Sequence, residues 1–305
     1  MSIEEGLVVH KSSSDLRVET RIGVVVRCSL RGKLRAAGDG RSPVLVGDRV
    51  EISLTSEGEG TLERVLPRRN VLGRSTAGGK PVVIAANVDA LLIVMAARDP
   101  PPRWGLADRM LASADRDGFE AAICINKWDQ IDMAPERGEL LDTCELYRRI
   151  GYPVLTVSAL RGDGIDEVAS RLGNKVTVLS GHSGVGKSTL LNRLDPSLSL
   201  TTTEVNEVTG KGRHTTTAAA LYRIPSGGHV IDTPGFREFM PSDIPRTELW
   251  LHFPEMAGLE GACRYKDCLH REEPGCRVRA ALEEGKVPRM RYESYLRILE
   301  SLPRS

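Results

Sequence analysis

A glycine-rich segment near the middle of the chain, residues 181–188, has the spacing G-x-x-x-x-G-K-[ST] of a phosphate-binding loop. An apolar stretch at 176–180 precedes it, and an apolar helical pattern at 189–194 follows it. In such a loop the backbone N–H groups surround a β-phosphate, and the start of the helix adds partial positive charge. The residues predicted to bind a nucleotide here are Gly181, His182, Ser183, Gly184, Val185, Gly186, Lys187, Ser188 and Thr189.

Two side chains of this loop have separate expected roles. Lys187 should reach the β- and γ-phosphates as a catalytic cation, and the Ser188 hydroxyl should bind Mg²⁺. A glycine-rich turn with a chance lysine is the alternative, but the strand and helix patterns on either side of the loop argue against it. A phosphate loop alone does not distinguish ATP from GTP.

An Asn-Lys-x-Asp motif addresses the choice of base. It consists of Asn126, Lys127, Trp128 and Asp129 and follows an apolar stretch, which places it at the carboxyl edge of a parallel sheet. The Asp129 carboxylate can accept from guanine N1–H and from its exocyclic amine. Adenine offers neither donor, and an unpaired buried polar group costs about 1–3 kcal/mol or more. The motif therefore predicts guanine, with the Lys127 stem lying over the base.

A second guanine element follows the next predicted strand. Ser158, Ala159 and Leu160 offer backbone N–H groups to guanine O6. An isolated Asn-Lys-x-Asp motif arises by chance on solvated loops, but two adjacent strand ends that both carry guanine motifs argue against chance. An ATPase remains a rival hypothesis, which a nucleotide competition assay would settle.

An Asp-Thr-Pro-Gly motif starts at Asp232, directly after an apolar strand pattern. Asp232 is expected to contribute to Mg²⁺ coordination through a ligand water, and the Gly235 amide to contact the γ-phosphate. Upstream, a row of threonines supplies the other Mg²⁺ position. We choose Thr216, with Thr215 as the second choice, although such a row is also typical of the start of a strand.

Phe236 follows the Asp-Thr-Pro-Gly motif, where many GTPases have a glutamine that orients the attacking water. Because a phenyl ring cannot hydrogen-bond water, we look for a substitute, and His214 is the nearest candidate. His214 could instead pack the loop or contact RNA. Phe236 also leaves a rival hypothesis open, in which the protein is an RNA-binding scaffold and GTP is only a structural ligand.

The spacing Cys263-x₄-Cys268-x-His270-x₅-Cys276 offers four metal ligands close together. It is typical of a closed, tetrahedral Cys₃His zinc site with a structural role. Reduced buried cysteines are the alternative. The other three cysteines are scattered among apolar residues, and this pattern favours a reducing compartment with one metal site over a disulfide scaffold.

The order of the motifs is unusual, because both guanine elements precede the phosphate loop, which comes first in ordinary small GTPases. At this point the sequence resembles the circularly permuted GTPases, and specifically the ribosome small-subunit-dependent GTPase A (RsgA) family. The resemblance includes an N-terminal barrel, the permuted motifs, the Gly-Arg-His-Thr-Thr-Thr segment at 212–217 and the cysteine knot. It implies an OB-fold barrel, a permuted GTPase domain, a zinc domain and GTP hydrolysis stimulated by the small ribosomal subunit late in its maturation. It also favours a catalytic His214.

The patterns along the chain predict three domains. We predict an OB-type β-barrel over residues 1–75, with strands at 21–27, 29–35 and 44–52 and a linker at 75–81. Alternating strand and helix patterns predict a doubly wound α/β GTPase domain over 81–245. An α-rich zinc-binding domain is predicted over 246–305.

Two basic surfaces are candidates for contact with rRNA. Arg27, Arg31, Lys33 and Arg35 alternate on the barrel without aromatic residues, which favours backbone and shape contacts over base stacking. The second surface surrounds the cysteine knot and includes Arg264, Lys266, Arg271, Arg277, Arg279, Lys286, Arg289, Arg291 and Arg297. Ordinary solvated surfaces are the alternative, since acidic residues are interleaved around the knot.

Composition sets limits on these hypotheses. The 305 residues carry a net charge of +1, so any RNA contact must come from local patches. The first residues lack the pattern of a secretory signal, and the longest apolar run, 82–97, is too short and too polar to span a bilayer. We expect a cytoplasmic monomer with no membrane association, whose partners are GTP or GDP, the small ribosomal subunit and its rRNA.

Overall fold

The fold is taken from a computed structural model that describes residues 3–12, 14–31, 43–55, 58–76, 79–132, 135–199, 220–232, 244–259, 261 and 263–303. All structural statements below refer to these residues.

The N-terminal part is a closed barrel of five strands. Its strands are β1 (Ile3–Lys11), β2 (Leu16–Thr20), β3 (Val25–Leu30), β4 (Arg49–Leu54) and β5 (Glu59–Val65). Pairing runs β1-β2-β3-β5-β4 and returns from β4 to β1, so the sheet has no free edge. Alternate side chains point inward and are fully buried, among them Val8, Val18, Ile52 and Leu62. This confirms the predicted barrel.

The predicted barrel strands differ from the observed ones at their starts. Residues 21–23 form a turn, in which the Gly23 N–H donates to the Thr20 carbonyl at 2.9 Å, so β3 begins later than predicted. Residues 44–48 are not a strand, because the buried Asp48 carboxylate accepts from the Leu45 N–H at 2.7 Å and holds a turn. Most of the predicted strand at 29–35 lies outside the described residues.

The predicted linker at 75–81 is also wrong. Two strands, β6 (Val71–Thr76) and β7 (Gly79–Ala86), pair as an antiparallel hairpin across this stretch. The turn-forming residues of the stretch are equally typical of a linker and of a hairpin turn, which is why the sequence alone favoured the wrong interpretation.

The central domain is a mainly parallel sheet. Its strands are β8 (Ala90–Ala96), β9 (Glu120–Asn126), β10 (Val154–Thr156), β11 (Val176–Ser180), β12 (Ala220–Arg223) and β13 (His229–Asp232). They are ordered β10-β9-β8-β11-β13-β12, and β12 alone runs antiparallel to its neighbour β13. The helices are α1 (Trp104–Asp117), α2 (Arg137–Ile150), α3 (Ile165–Leu172) and α4 (Lys187–Leu194).

Helices cover both faces of this sheet. Along β8, Ile93 packs in a core with Met110 of α1 and Tyr147 of α2, whereas Val94 packs in a second core with Leu190 of α4. Two cores on opposite faces make a doubly wound domain, as predicted. Since the parallel strands share one direction, their carboxyl ends meet at one edge, where ligands bind in such folds.

The C-terminal module is built from short helices: α5 (Pro254–Ala257), α6 (Arg277–Glu283) and α7 (Arg289–Ser301). Three-residue and four-residue 3₁₀ turns also occur in the chain, at Trp128–Ile131, Pro196–Leu198 and Leu249–His252. The module packs on α1, where Ala112 joins a core with Phe253, Tyr295 and Ile298. Within the described residues, no helix is both long enough and apolar enough to cross a membrane.

Candidate functional site

The phosphate loop connects β11 to α4 at the carboxyl edge of the sheet. Its glycines are required by close packing: a Cβ at residue 181 would lie 2.1 Å from the Val94 carbonyl oxygen, and one at residue 186 would lie 2.4 Å from Asn126 Nδ2. Both glycines also have positive φ, which other residues rarely adopt. The loop is therefore held tightly against β8 and the guanine motif.

Lys187 begins α4 and folds back over this loop. Its Nζ donates to the Gly181 carbonyl at 2.8 Å and to the His182 carbonyl at 3.1 Å. The ammonium is thereby positioned over the backbone that would surround the phosphates. Ser188 follows in the first turn of α4 and is buried, 6% exposed.

Asn126 connects the guanine motif to the phosphate loop. Its Nδ2 donates to the Val185 carbonyl at 2.9 Å, and its Oδ1 accepts from the Ala159 N–H at 3.0 Å. Asn126 is 2% exposed, so both polar ends are satisfied by the protein. One side chain thus holds the three predicted nucleotide-binding segments together.

Asp129 and Lys127 lie at the same edge, Lys127 between β9 and the 3₁₀ turn and Asp129 on that turn. The Ser158 hydroxyl donates to Asp129 Oδ1 at 2.5 Å, which fixes the orientation of the carboxylate. Lys127 has a positive φ of 58°, and its Nζ donates to the Asp99 carbonyl after β8. Trp128 is half-buried against the core under α1, and its backbone N–H donates to the Val157 carbonyl at 3.0 Å.

The backbone amides of the second guanine element are not equivalent. The Ser158 N–H donates to the Asp163 carbonyl at 3.0 Å, and the Ala159 N–H donates to Asn126. Across the described ranges, the Leu160 N–H donates no hydrogen bond, and Leu160 is 76% exposed.

The predicted Mg²⁺ ligands are only partly visible. Asp232 ends β13, which lies beside the phosphate-loop strand β11 in parallel register, so its backbone is at the same edge as Ser188. His214, Thr215, Thr216, Gly235 and Phe236 lie outside the described residues.

The cysteine knot forms a compact cluster. Cys263, Cys268, His270 and Cys276 place their ligand atoms within 4.8 Å of one another. His270 Nδ1 lies 3.6 Å from Cys263 Sγ and 3.5 Å from Cys276 Sγ, so this nitrogen faces the thiols. Burial lowers the pKa of His270, which favours the neutral imidazole that binds metals. The donor set fits a tetrahedral site, and the cluster can bind a metal ion such as Zn²⁺.

The other three cysteines are buried in apolar cores, as their neighbours in the sequence indicated. Burial raises the pKa of Cys124 to about 12 and those of Cys28 and Cys144 to about 11. They are neutral thiols that pack as small apolar side chains.

Several residues hold the metal cluster in place. The Tyr292 hydroxyl donates to the His270 carbonyl at 2.7 Å, and the Tyr295 hydroxyl donates to the Leu269 carbonyl at 2.8 Å. The Glu273 carboxylate accepts three backbone N–H groups, from residues 269, 271 and 272. Burial alone would raise the pKa of Glu273, but these hydrogen bonds lower it.

Sequence reasoning missed or misassigned some of these contacts. The structural role of Glu273 is not predicted from the sequence, although its place between two metal ligands, His270 and Cys276, could have indicated it. The Asp99 carbonyl left no signal, because a backbone acceptor can be any residue. Arg291 was predicted to face RNA, and this is wrong: it is 0% exposed, since its guanidinium pairs with Asp108 and Glu255 inside the molecule.

The remaining basic surface is partly paired. Arg271 contacts Glu300 at 3.0 Å, Arg277 contacts Glu284 at 3.0 Å, and Arg31 on the barrel pairs with Glu63. Lys33 and Arg35 lie outside the described residues.

The fold and the site together define a P-loop protein specific for guanine nucleotides, with its base-recognition strands before its phosphate loop in the chain. Comparison with known proteins agrees with this class. The RsgA GTPase family matches residues 65–241, and the RsgA N-terminal domain family matches residues 5–62.

Relatives of known name match this chain over nearly its full length. A protein of Moorella thermoacetica named small ribosomal subunit biogenesis GTPase RsgA is 44% identical, with 97% of this chain and 96% of the relative covered. One of the same name from Bacteroides fragilis is 40% identical over the same shares. The chain belongs to the RsgA GTPase family and is a GTPase.

Solved structures agree with the fold. The crystal structure of YjeQ from Thermotoga maritima matches with a TM-score of 0.79 and 34% identity, covering 98% of each chain. The crystal structure of YloQ, described as a circularly permuted GTPase, matches with a TM-score of 0.79 and 30% identity, covering 100% of this chain and 98% of that one.

Proposed function

We propose that this chain hydrolyses GTP when it is bound to the small ribosomal subunit, and that it acts late in the maturation of that subunit. The observation that carries the proposal is the Asn126 bridge, which assembles a guanine site and a phosphate loop at one sheet edge. The full-length similarity to proteins named small ribosomal subunit biogenesis GTPases supports the choice of partner.

The residues at the carboxyl edge of the sheet bind different parts of the nucleotide. Asp129 accepts from the guanine N1–H and the exocyclic amine, and the Lys127 stem covers the base. Because the other two amides of the second element already have acceptors, the Leu160 N–H is our proposed donor to guanine O6. The amides of residues 181–189 bind the phosphates, with Lys187 at the β- and γ-phosphates.

The reaction is attack of water on the γ-phosphorus. The bond from phosphorus to the β-γ bridging oxygen breaks, and GDP, inorganic phosphate and a proton are formed. His214 orients the attacking water in place of the glutamine that Phe236 replaces, and the Gly235 amide contacts the γ-phosphate. Ser188, Thr216 and Asp232 would hold Mg²⁺, with Thr215 as the alternative threonine. When bound, this ion neutralises negative charge on the phosphate oxygens.

The outer parts of the chain contact the subunit in this proposal. A barrel over residues 1–75 and a zinc module over 246–305 flank the GTPase domain at 81–245. One structural Zn²⁺ is held by Cys263, Cys268, His270 and Cys276. Exposed cations of the module, such as Arg264 and Arg289, face rRNA phosphates. The protein works as a monomer in the cytoplasm.

A turnover measurement tests the proposal. GTP hydrolysis is measured with small subunits, with large subunits and with neither. We expect a rise in turnover with small subunits alone. Equal turnover in all three reactions would contradict the proposal, and the absence of turnover would favour the scaffold alternative.

A further inference from the structure

A buried carboxylate of the barrel contacts the sheet of the GTPase domain. Glu19 lies on β2 and is 7% exposed. Arg223 on β12 donates to Glu19 Oε1 at 2.7 Å, and His229 on β13 pairs with the other oxygen, Oε2. A buried carboxylate without partners is costly, so separating the barrel from these strands is opposed at this point.

The two partners of Glu19 are opposite each other on one hairpin. Arg223 and His229 are a cross-strand pair of β12 and β13. Asp232 of the predicted Mg²⁺ site is the last residue of β13, three positions after His229. In the sequence, the segment with His214 and Thr216 comes just before β12, the first strand of this hairpin. The hairpin therefore connects the two segments that our proposed function assigns to hydrolysis.

The barrel holds this hairpin at both ends. At the start of β12, Ala220 pairs with His10 of β1. At the end of β12, the Arg223 guanidinium lies against the turn between β2 and β3. The contact is so close that a Cβ at Gly23 would lie 2.3 Å from Arg223 Nη1. The exposed tip of that turn carries Ile22, which is 84% exposed, three residues from Glu19. A movement of the turn thus reaches Glu19 and Arg223 directly.

Beside these contacts a pocket opens between the two domains. A cavity of about 470 Å³ lies next to Glu19 and is lined by Arg49 of the barrel and by Asn174 and Lys175 of the GTPase domain. An apolar core that includes Val9 of β1 and Leu221 of β12 also joins the two domains, and on the side of this pocket the ion pairs of Glu19 add to it in holding the orientation of barrel and hairpin.

We propose that Glu19 is a positioning residue that connects the barrel to the β12–β13 hairpin, so that contact of the barrel with the small ribosomal subunit accelerates GTP hydrolysis through Arg223 and His229. This inference rests on the proposed function. Coupling of this kind requires that the hairpin is arranged differently when the barrel is bound to the subunit. Glu19 supplies the contact through which binding at the barrel changes the hairpin.

The test compares stimulation ratios, defined as kcat with saturating small subunits divided by kcat without them. The variants are Glu19→Gln, Arg223→Ala and the double variant. Arg223 is exposed over 56% of its side chain, and Glu19 keeps its contact with His229 when Arg223 is replaced, so Arg223→Ala should fold. Each single variant should lower the ratio, Glu19→Gln by about tenfold, and the double variant should fall no further than Glu19→Gln, because the Arg223 contact depends on the Glu19 carboxylate. Binding to small subunits, measured by co-sedimentation, should persist.

Glu51→Gln and Arg64→Ala are the matched controls, since Glu51 and Arg64 form an ion pair within the barrel, between β4 and β5. Their ratios should equal that of the wild type. A stimulated wild type with unchanged ratios in the Glu19 and Arg223 variants would overturn this inference alone. Loss of subunit binding in those variants would also overturn it, because Glu19 would then be a binding contact. An unstimulated wild type would overturn this inference together with the proposed function.

Discussion

The Asn126 amide donates to the Val185 carbonyl across 2.9 Å, so a residue of the guanine motif holds the backbone of the phosphate loop. The two residues are far apart in the sequence, and β9, which ends at Asn126, is separated in the sheet by β8 from β11, which leads into the phosphate loop. Through the Ala159 N–H, the same side chain reaches the second guanine element. We therefore expect Asn126 to act on nucleotide affinity by arranging the site.

Asn126→Ala should weaken the binding of GTP and GDP alike. The change removes two buried hydrogen bonds of about 1 kcal/mol each, so affinity should fall by about 2 kcal/mol, roughly thirtyfold. Titration with a fluorescent guanine nucleotide measures it. Asn70→Ala is the matched control, because Asn70 makes two equivalent hydrogen bonds to the Val88 backbone away from this edge. Equal affinities in both variants would show that the bridge is not needed.

Asp129→Asn should change the base preference. An amide reverses one hydrogen-bond direction, so GTP binding should weaken by about 2–3 kcal/mol and xanthosine triphosphate should bind instead. Competition between the two nucleotides measures the preference. Asp132→Asn, which alters a nearby carboxylate paired with Arg161 at 2.8 Å, should keep the wild-type preference. Unchanged GTP affinity in Asp129→Asn would refute the assignment of base recognition.

The sequence predicts much of this site because its motifs are local. Asn126, Ser158 and Lys187 each follow an apolar strand, and the parallel order of the strands brings them to one edge. Contacts made by backbone atoms, or by charged residues far apart in the sequence, leave no local motif. The Asp99 carbonyl and the buried Arg291 were therefore not predicted, since the first can come from any residue and the second resembles a surface cation.

His214→Ala should retain nucleotide binding and lose most of the stimulated hydrolysis. The reason is chemical: Phe236 cannot orient water, and His214 is the candidate that can. We expect stimulated kcat to fall about a hundredfold, the lower end of what a positioned acid–base group contributes. Steady-state turnover with small subunits measures it, and His252→Ala is the control, because His252 pairs with Asp115 near the end of α1, away from the nucleotide edge of the sheet. Normal turnover in His214→Ala would assign water positioning to another group.

Removal of the metal should loosen the C-terminal module. Chelation at neutral pH should release one zinc per chain, as measured by metal analysis, because a closed Cys₃His site contributes folding energy to its domain. Trp250 reports the change directly, since its ring lies 4.8 Å from the His270 ring. Its fluorescence should shift on chelation and return with added Zn²⁺.

Two variants identify the source of that signal. Trp104→Phe should keep the fluorescence change, because Trp104 stacks on Tyr147 in the GTPase domain. Trp250→Phe should abolish it. Chelation without any loss of zinc, or a fluorescence change that persists in Trp250→Phe, would contradict the assignment.

The last prediction concerns Arg291, which joins the C-terminal module to the GTPase domain. Its guanidinium pairs with Asp108 of α1 and Glu255 of α5, and its centre lies 4.5 Å from the Phe253 ring. Burial alone would lower the pKa of Arg291, but the two carboxylates raise it well above its usual value, so it stays charged. Arg291→Met leaves two buried carboxylates without their partner, which costs about 3–5 kcal/mol. Urea unfolding should therefore shift to clearly lower concentrations. Arg297→Met, on the exposed side of the same helix, should change stability by less than about 0.5 kcal/mol. If both variants unfolded at the wild-type urea concentration, the buried pairs would not hold the module on α1.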